Sequence, residues 1–278
     1  MNAGSARDPG SVNELQRRIA AAAARRSSTV NRLQSLIRNV ALSQMLPSAA
    51  IKGGTGLKLR LGEAMTRQTP DLDAAFRGNR DQFLAELAGN LRRGWAGFTG
   101  TVTEGRPRPP AGVPTAYVMQ PYTAKLLFHG RPFGTVAIEL GYDELEATTR
   151  EPIEYALADE VPELFRELGL AAPSPARVLP LHHQIAQKLH ACTEVGNDRA
   201  HDLVDLQLMA PHTEDARVAD TARRLFTFRR QHPWPPTVTP GPSWPTLYAE
   251  AAQGLAVLPE LTEAIAWSNA YVERLTRS

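Results

Sequence analysis

Between Asn13 and about Leu46 the apolar positions recur every three or four residues: Leu15 and Ile19, then Leu33, Leu36, Ile37, Val40 and Ala41. That period predicts amphipathic helices. Ser27, Ser28 and Thr29 supply the cap of the second. The first twelve residues are polar and broken by Gly and Pro, and read as a frayed tail. A further helix is expected from about Arg80 to Leu91. From Gly94 to Tyr142 the pattern changes to β-rich patches separated by turns: WAGFTGTVT, YVMQPYTAKLLFHG and RPFGTVAIELGYDE, with the Pro-rich RPRPPAGVP among the turns. These predict a meander of strands pairing with a short strand at Asp71-Leu72-Asp73.

The stretch that follows, ATTREPIEYALADEVPELFRELGLAAPSPAR, reads as a polar link. A boundary is expected where Ala171–Ala176 is rich in Pro and Ser, giving one lobe over 1–175, its first 12 residues flexible, and a second over 176–278. After a short strand at Val178–Leu181, helix signals dominate: HHQIAQKLHACTE, RAHDLVDLQLMA, DARVADTARRLFTFRRQ, then Tyr248–Gly254 and Glu260–Arg277. The intervening HPWPPTVTPGPSWP is too rich in Pro for regular structure.

With 278 residues, 42% apolar and 22% charged, the chain is long enough for one large domain or two modest ones with a real core. Its net charge of +2 permits a nucleic-acid partner without requiring one. The single cysteine, Cys192, excludes an internal disulfide and fits a reducing compartment. With neither a secretory signal nor a bilayer-spanning apolar run, the cytoplasm is the expected location and no membrane partner is expected. Arg17, Arg18, Arg25, Arg26, Arg32 and Arg38 make the first helices basic, either as a solvated face or as a surface for RNA or a partner.

The chemistry concentrates in Lys52–Asp73, KGGTGLKLRLGEAMTRQTPDLD. Gly53 and Gly54 let backbone N–H groups approach an anion, and the helix start that follows adds its positive end. On a strand, Asp71 and Asp73 project from one face. Two hard oxygen ligands beside such a turn suit Mg²⁺ bound with a nucleoside triphosphate. Glu139, inside the apolar run Thr135–Leu140, either points to solvent or faces Asp71 and Asp73 as a third carboxylate. Farther on, Lys188 shares a helix with the apolar Ile185, Leu189 and Cys192. Asp202 and Asp205, three residues apart, share a face of the next helix. Lys188 and these aspartates form either a structural ion pair or a group that neutralises triphosphate charge. The histidines do not suggest zinc. His182 and His183, being sequential, point in different directions, and His183 and His190 lie two turns apart. A nucleophile elbow and a Walker A loop are both absent.

Four segments in this order, KGGTGLKLRLG, R-x-T-x-D-L-D at Arg67–Asp73, IAQKLHA at Ile185–Ala191 and HDLVDL at His201–Leu206, resemble the AbiEii/MenT nucleotidyltransferase toxins of the polymerase-β-like superfamily. The resemblance covers roughly residues 35–215. It implies an α+β, bilobed fold: a mixed sheet with flanking helices, and a mainly helical C-terminal lobe that contributes the second half of the active site. Carried over by residue, Gly53, Gly54 and Thr55 form the triphosphate-holding turn, with Lys58 and Arg67 also binding the nucleotide. Asp71 and Asp73 match the metal pair, joined by Glu139. Thr69, Lys188 and Asp202 complete the catalytic set with Asp71, and Asp205 belongs to the same motif as Asp202. The implied activity is Mg²⁺- or Mn²⁺-dependent transfer of a nucleoside monophosphate from an NTP, CTP or another pyrimidine among the candidates. The implied acceptor is RNA at the tRNA 3′ end, which would block aminoacylation and growth. The implied partner is a cognate antitoxin, a transcriptional regulator. Two other functions are compatible: a protein or small-molecule acceptor, and a non-catalytic nucleotide-binding module.

Overall fold

The computed structural model describes residues 8–107 and 118–278. Most of the expected frayed tail and of the Pro-rich turn at 106–114 therefore lies outside the described residues. The chain condenses into two compact units. The first comprises residues 8–64, 68–143 and 153–178; the second comprises 65–67, 144–152 and 179–278.

The first unit is built on a seven-stranded mixed sheet. Its strands are β1 (Ala50–Lys52), β2 (Leu72–Phe76), β3 (Phe98–Glu104), β4 (Gln120–Phe128), β5 (Arg131–Tyr142), β6 (Glu154–Ala156) and β7 (Ala176–Val178). Their spatial order is β3-β4-β5-β2-β1-β7-β6. The expected meander appears as β3-β4-β5, and β5 runs parallel to β2. Alternation explains β5: Phe133, Val136, Ile138 and Leu140 are buried, while Thr135, Ala137 and Glu139 are exposed.

Helices α1 (Val12–Arg25), α2 (Val30–Ser43), α3 (Gly53–Leu61), α4 (Arg80–Arg93) and α5 (Glu160–Leu168) complete this unit. Their starts are local: the side chains of Ser11, Thr29 and Asn79 accept from the N–H groups of Glu14, Arg32 and Gln82. The stripe expected on α1 and α2, from Leu15 to Ala41, is buried in one apolar core with the sheet. Each fully buried large apolar side chain contributes about 1.5–3 kcal/mol.

Two expectations are corrected here. The polar link contains a strand and a helix. In α5, Val161, Leu164, Phe165 and Leu168 occupy one face and are buried, and Gly169 ends the helix at φ 78°. The short strand expected at Val178–Leu181 is β7, which ends at Val178 and pairs with β1 and β6 in the first unit's sheet.

The second unit is helical: α6 (Leu181–Cys192), α7 (His201–Met209), α8 (Asp215–Arg229), α9 (Trp244–Ala252) and α10 (Leu261–Arg277). Helix α6 packs on α7 and α8, and α9 and α10 pack on α7. Among the described residues, no helix is long and apolar enough to cross a membrane.

Candidate active site

In the first unit, β1 runs without a loop into α3. Lys52 occupies the cap position in extended conformation and makes no side-chain capping bond to the first turn. The first N–H groups of α3 therefore lack the capping side chain that most helix starts use, an arrangement suited to an anion. Gly53 adopts φ +63°, and a β-carbon there would collide with the Asp73 carboxylate. At Gly54 a β-carbon would lie 2.9 Å from the Thr69 side chain. Glycine is required at 53 because Asp73 of β2 lies directly against the turn, and at 54 because Thr69, in the loop before β2, does.

Hydrogen bonds hold that approach. Thr55 Oγ1 donates to the carbonyl of Asp71 at 2.6 Å, and the Asn39 amide donates to Thr55 Oγ1 at 3.0 Å. Thr69 Oγ1 donates to Asp71 Oδ1 at 2.5 Å. Register then aligns a charged row, with Lys52 opposite Asp73 and Asp73 opposite Glu139. Residues directly opposite on neighbouring strands project from the same face. Asp71 stands one residue before β2, its carbonyl held by Thr55 and its carboxylate by Thr69. Asp71 and Asp73 are half-buried and Glu139 is exposed. Asp73 and Glu139 on one face, with Asp71 immediately ahead of the strand and a turn beside them that leaves room only for glycine, fit a hard divalent cation.

Two nucleotide contacts expected from the sequence take other partners. Lys58 is 1% exposed and its ammonium pairs with Glu63, which also accepts from Arg32 Nε at 2.7 Å. Lys58 is thus part of a buried ionic cluster beneath the turn. The Thr55 hydroxyl is committed to Asn39 and Asp71, which leaves only its backbone N–H for a ligand. Lys52, to which sequence reasoning gave no role, stands in the charged row. Its place at the end of a strand immediately before Gly-Gly was the available signal.

The second unit holds the other residues of interest, and Arg67 groups with them instead of with the glycine turn. Arg67 donates to both oxygens of Asp205, Nε at 3.0 and 3.2 Å and Nη2 at 3.0 Å. Lys188 Nζ lies 2.6 Å from Asp202 and 2.6 Å from Asp205. Arg199 reaches Asp202 at 2.8 Å. Both aspartates are fully buried and Lys188 is 6% exposed. Arg67, Lys188 and Arg199 all converge on these two carboxylates. Burial opposes the charge on Lys188, but Asp202 and Asp205 outweigh it and raise its pKa. Burial likewise opposes ionisation of Asp202 and Asp205, and Lys188 first, then Arg199 or Arg67, overcomes it and holds both well below the ordinary carboxylate range. The network stays ionised at neutral pH, so it can position and neutralise but is poorly suited to moving protons.

Five arginines of the first helices have acidic partners, while Arg17 and Arg25 keep side chains 75% and 61% exposed. Arg17 and Arg18 pair with Glu14, Arg25 and Arg26 with Glu167, and Arg32 with Glu63. The histidines also depart from expectation: His182 and His183 do not diverge, because both rings reach Glu151, a residue read from the sequence as part of the link.

A family model described as "Nucleotidyl transferase AbiEii toxin, Type IV TA system" matches residues 35–270. None of the curated proteins matches the chain. Among solved structures, MenT4, a nucleotidyltransferase toxin from Mycobacterium tuberculosis, aligns over 94% of this chain and 98% of its own at 17% identity, with a TM-score of 0.52. JHP933 from Helicobacter pylori aligns over 87% and 89% at 16% identity, with a TM-score of 0.44. At 17% identity the MenT4 likeness shows the fold, over nearly the whole chain.

Proposed function

The chain belongs to the AbiEii nucleotidyltransferase toxin family of type IV toxin–antitoxin systems, and from that premise we propose that it transfers a nucleoside monophosphate from an NTP to RNA, at the tRNA 3′ end. The observation that carries this reading is the pairing of Asp73 with Glu139 on one face, with Asp73 against the Gly53 turn and Asp71 just ahead of the strand.

Asp71 and Asp73, with Glu139, would hold Mg²⁺ or Mn²⁺. When bound, the cation supplies charge neutralisation for the triphosphate and lowers the cost of ionising the acceptor hydroxyl. The backbone N–H groups of Gly53, Gly54 and Thr55 bind phosphate oxygens. Thr69 fixes the rotamer of Asp71 through its 2.5 Å hydrogen bond. The acceptor hydroxyl oxygen bonds to the α-phosphorus, the bond from that phosphorus to the β-phosphate bridging oxygen breaks, and pyrophosphate leaves. The hydroxyl proton passes to a carboxylate of the charged row. Catalysis of this kind rests on positioning and electrostatics. The second unit's network of Arg67, Lys188 and Arg199 with Asp202 and Asp205 is assigned a phosphate-binding role. Blocking the tRNA 3′ end would stop aminoacylation and arrest growth in the cytoplasm. The family implies an antitoxin partner, and we assign it as a transcriptional regulator.

Incubation of the purified protein with total tRNA and each α-labelled NTP in turn tests the reading. Label is expected on RNA with one or two of the triphosphates, and none with Asp71→Asn, which preserves shape and removes the charge. Equal labelling by Asp71→Asn overturns the catalytic assignment. Hydrolysis-free NTP binding without label on any RNA, protein or small molecule would instead identify a binding module.

A further inference from the structure

Glu151 lies in the segment 144–152 of the second unit, and its carboxylate reaches the first turn of α6. Oε2 is 2.8 Å from His182 Nε2 and Oε1 is 2.8 Å from His183 Nε2. The three ligating atoms all lie within 4.8 Å of one another, and both imidazoles are only 3% exposed. The opposite nitrogen of His182, Nδ1, meets the buried Thr221 hydroxyl at 3.1 Å. That contact fixes the ring and leaves Nε2 directed at the carboxylate.

His182 Nε2 is oversubscribed. It lies 2.8 Å from a Glu151 oxygen and also 2.9 Å from Arg217 Nη2, which itself lies 3.3 Å from the same carboxylate. One ring nitrogen cannot donate to a carboxylate and accept from a guanidinium at the same time. If Nε2 carries the proton, it faces the N–H of Arg217; if not, its lone pair faces Glu151. Either protonation state leaves one close contact unsatisfied. A cation bound between the two ring nitrogens and the carboxylate satisfies all three acceptors at once.

We propose that Glu151, His182 and His183 form a site for a divalent transition-metal ion of the zinc class, separate from the Asp71/Asp73 carboxylates. Two imidazoles and one carboxylate are a common donor set for such ions, and bonds of about 2.0–2.1 Å place neighbouring ligands roughly 3.4 Å apart in a tetrahedron. The two 2.8 Å contacts go to different carboxylate oxygens and the three ligand atoms lie within 4.8 Å of one another, so Glu151 and the two rings must shift by several tenths of an ångström or more to close on one ion. Arg217 occupies the position that the ion would neutralise, and with its side chain 51% exposed it can swing to solvent. Thr221 is the supporting contact that such histidines regularly have on the ring nitrogen away from the metal. The ion would staple segment 144–152 to α6, across 31 residues of sequence from Glu151 to His182.

The test uses the untagged, full-length protein, stripped with a chelator and desalted, then titrated with Zn²⁺ against a chromogenic chelator and separately with Co²⁺. One equivalent of Zn²⁺ is expected, with a Co²⁺ visible band of low-coordinate intensity and a raised melting temperature. His183→Gln and Glu151→Gln should each weaken binding at least tenfold, and Thr221→Val about tenfold through the ring it orients. Excess Mg²⁺ is present throughout, so that the Asp71/Asp73 carboxylates do not compete for Zn²⁺. Arg217→Ala removes no ligand and should tighten binding, so it decides the matter even where a ligand variant fails to fold. Absence of stoichiometric Zn²⁺, binding unchanged in both His183→Gln and Glu151→Gln, or an Arg217→Ala protein that binds no more tightly would overturn the proposal and leave Arg217 as the cluster's own cation.

Discussion

At the scale of single residues, the charges that look most chemical are divided between exposed and buried roles. Asp71, Asp73 and Glu139 retain exposure; Lys58, Lys188, Asp202 and Asp205 do not. Lys188→Met leaves two fully buried carboxylates one cation short, and a loss of about 3–5 kcal/mol in unfolding free energy is expected by urea titration. His190 gives a pH prediction. Its ring is 1% exposed and is flanked by Phe226 and His232, with centroids 4.8 and 4.4 Å away. Burial first, then the neighbouring charges of Arg229 and His232, pushes its pKa down to about 3. In the unfolded chain the imidazole takes a proton near 6.5. The folded state binds fewer protons between those values, so this contribution to stability is full above 6.5 and is lost as the pH falls toward 3. The melting temperature should therefore drop from pH 7 to pH 5, and His190→Phe should shrink that drop while keeping the aromatic packing.

At the scale of elements, α5 shows where composition misleads. Glu160, Glu163, Arg166 and Glu167 give the segment a polar average, yet its apolar residues fall on one face and fill the first unit's core. Phe165, fully buried, has its ring centroid 5.9 Å from that of Trp95. Phe165→Ala should cost about 3–5 kcal/mol, measured by denaturant unfolding. A true linker residue would cost almost nothing. The α1 and α2 stripes and the β5 alternation were legible because each repeats long enough to set a face. Three-residue strands such as β6 and β7 carry too few positions for any period to appear.

At the scale of the whole molecule, neither unit is a continuous stretch of chain. The second unit draws on 65–67 and 144–152, which supply Arg67 to Asp205, Glu144 to Arg229 and Glu151 to the α6 histidines. A fragment of residues 176–278 would lack all three and would carry β7, whose partners β1 and β6 are in the other unit. Tryptophan fluorescence during urea titration should show no cooperative transition for this fragment, in contrast with the full chain. A cooperative transition of normal steepness would mean that these excursions contribute little.

The sequence by itself determined the mixed α+β character, most of the longer helices and strands, the family motifs and the acidic pair beside a glycine turn. Each of these is written in local spacing, or in residues whose chemistry has few alternatives. Tertiary structure alone decided which cations were already spent. Lys58 turns inward to Glu63 and Arg67 to Asp205, and the first helices' arginines find acids up to 142 residues away. It also decided the row of Lys52, Asp73 and Glu139, because strand register depends on partners distant in the chain. The same reason hid the meeting of Glu151 with His182 and His183: side-chain direction along one helix says nothing about a carboxylate arriving from another segment.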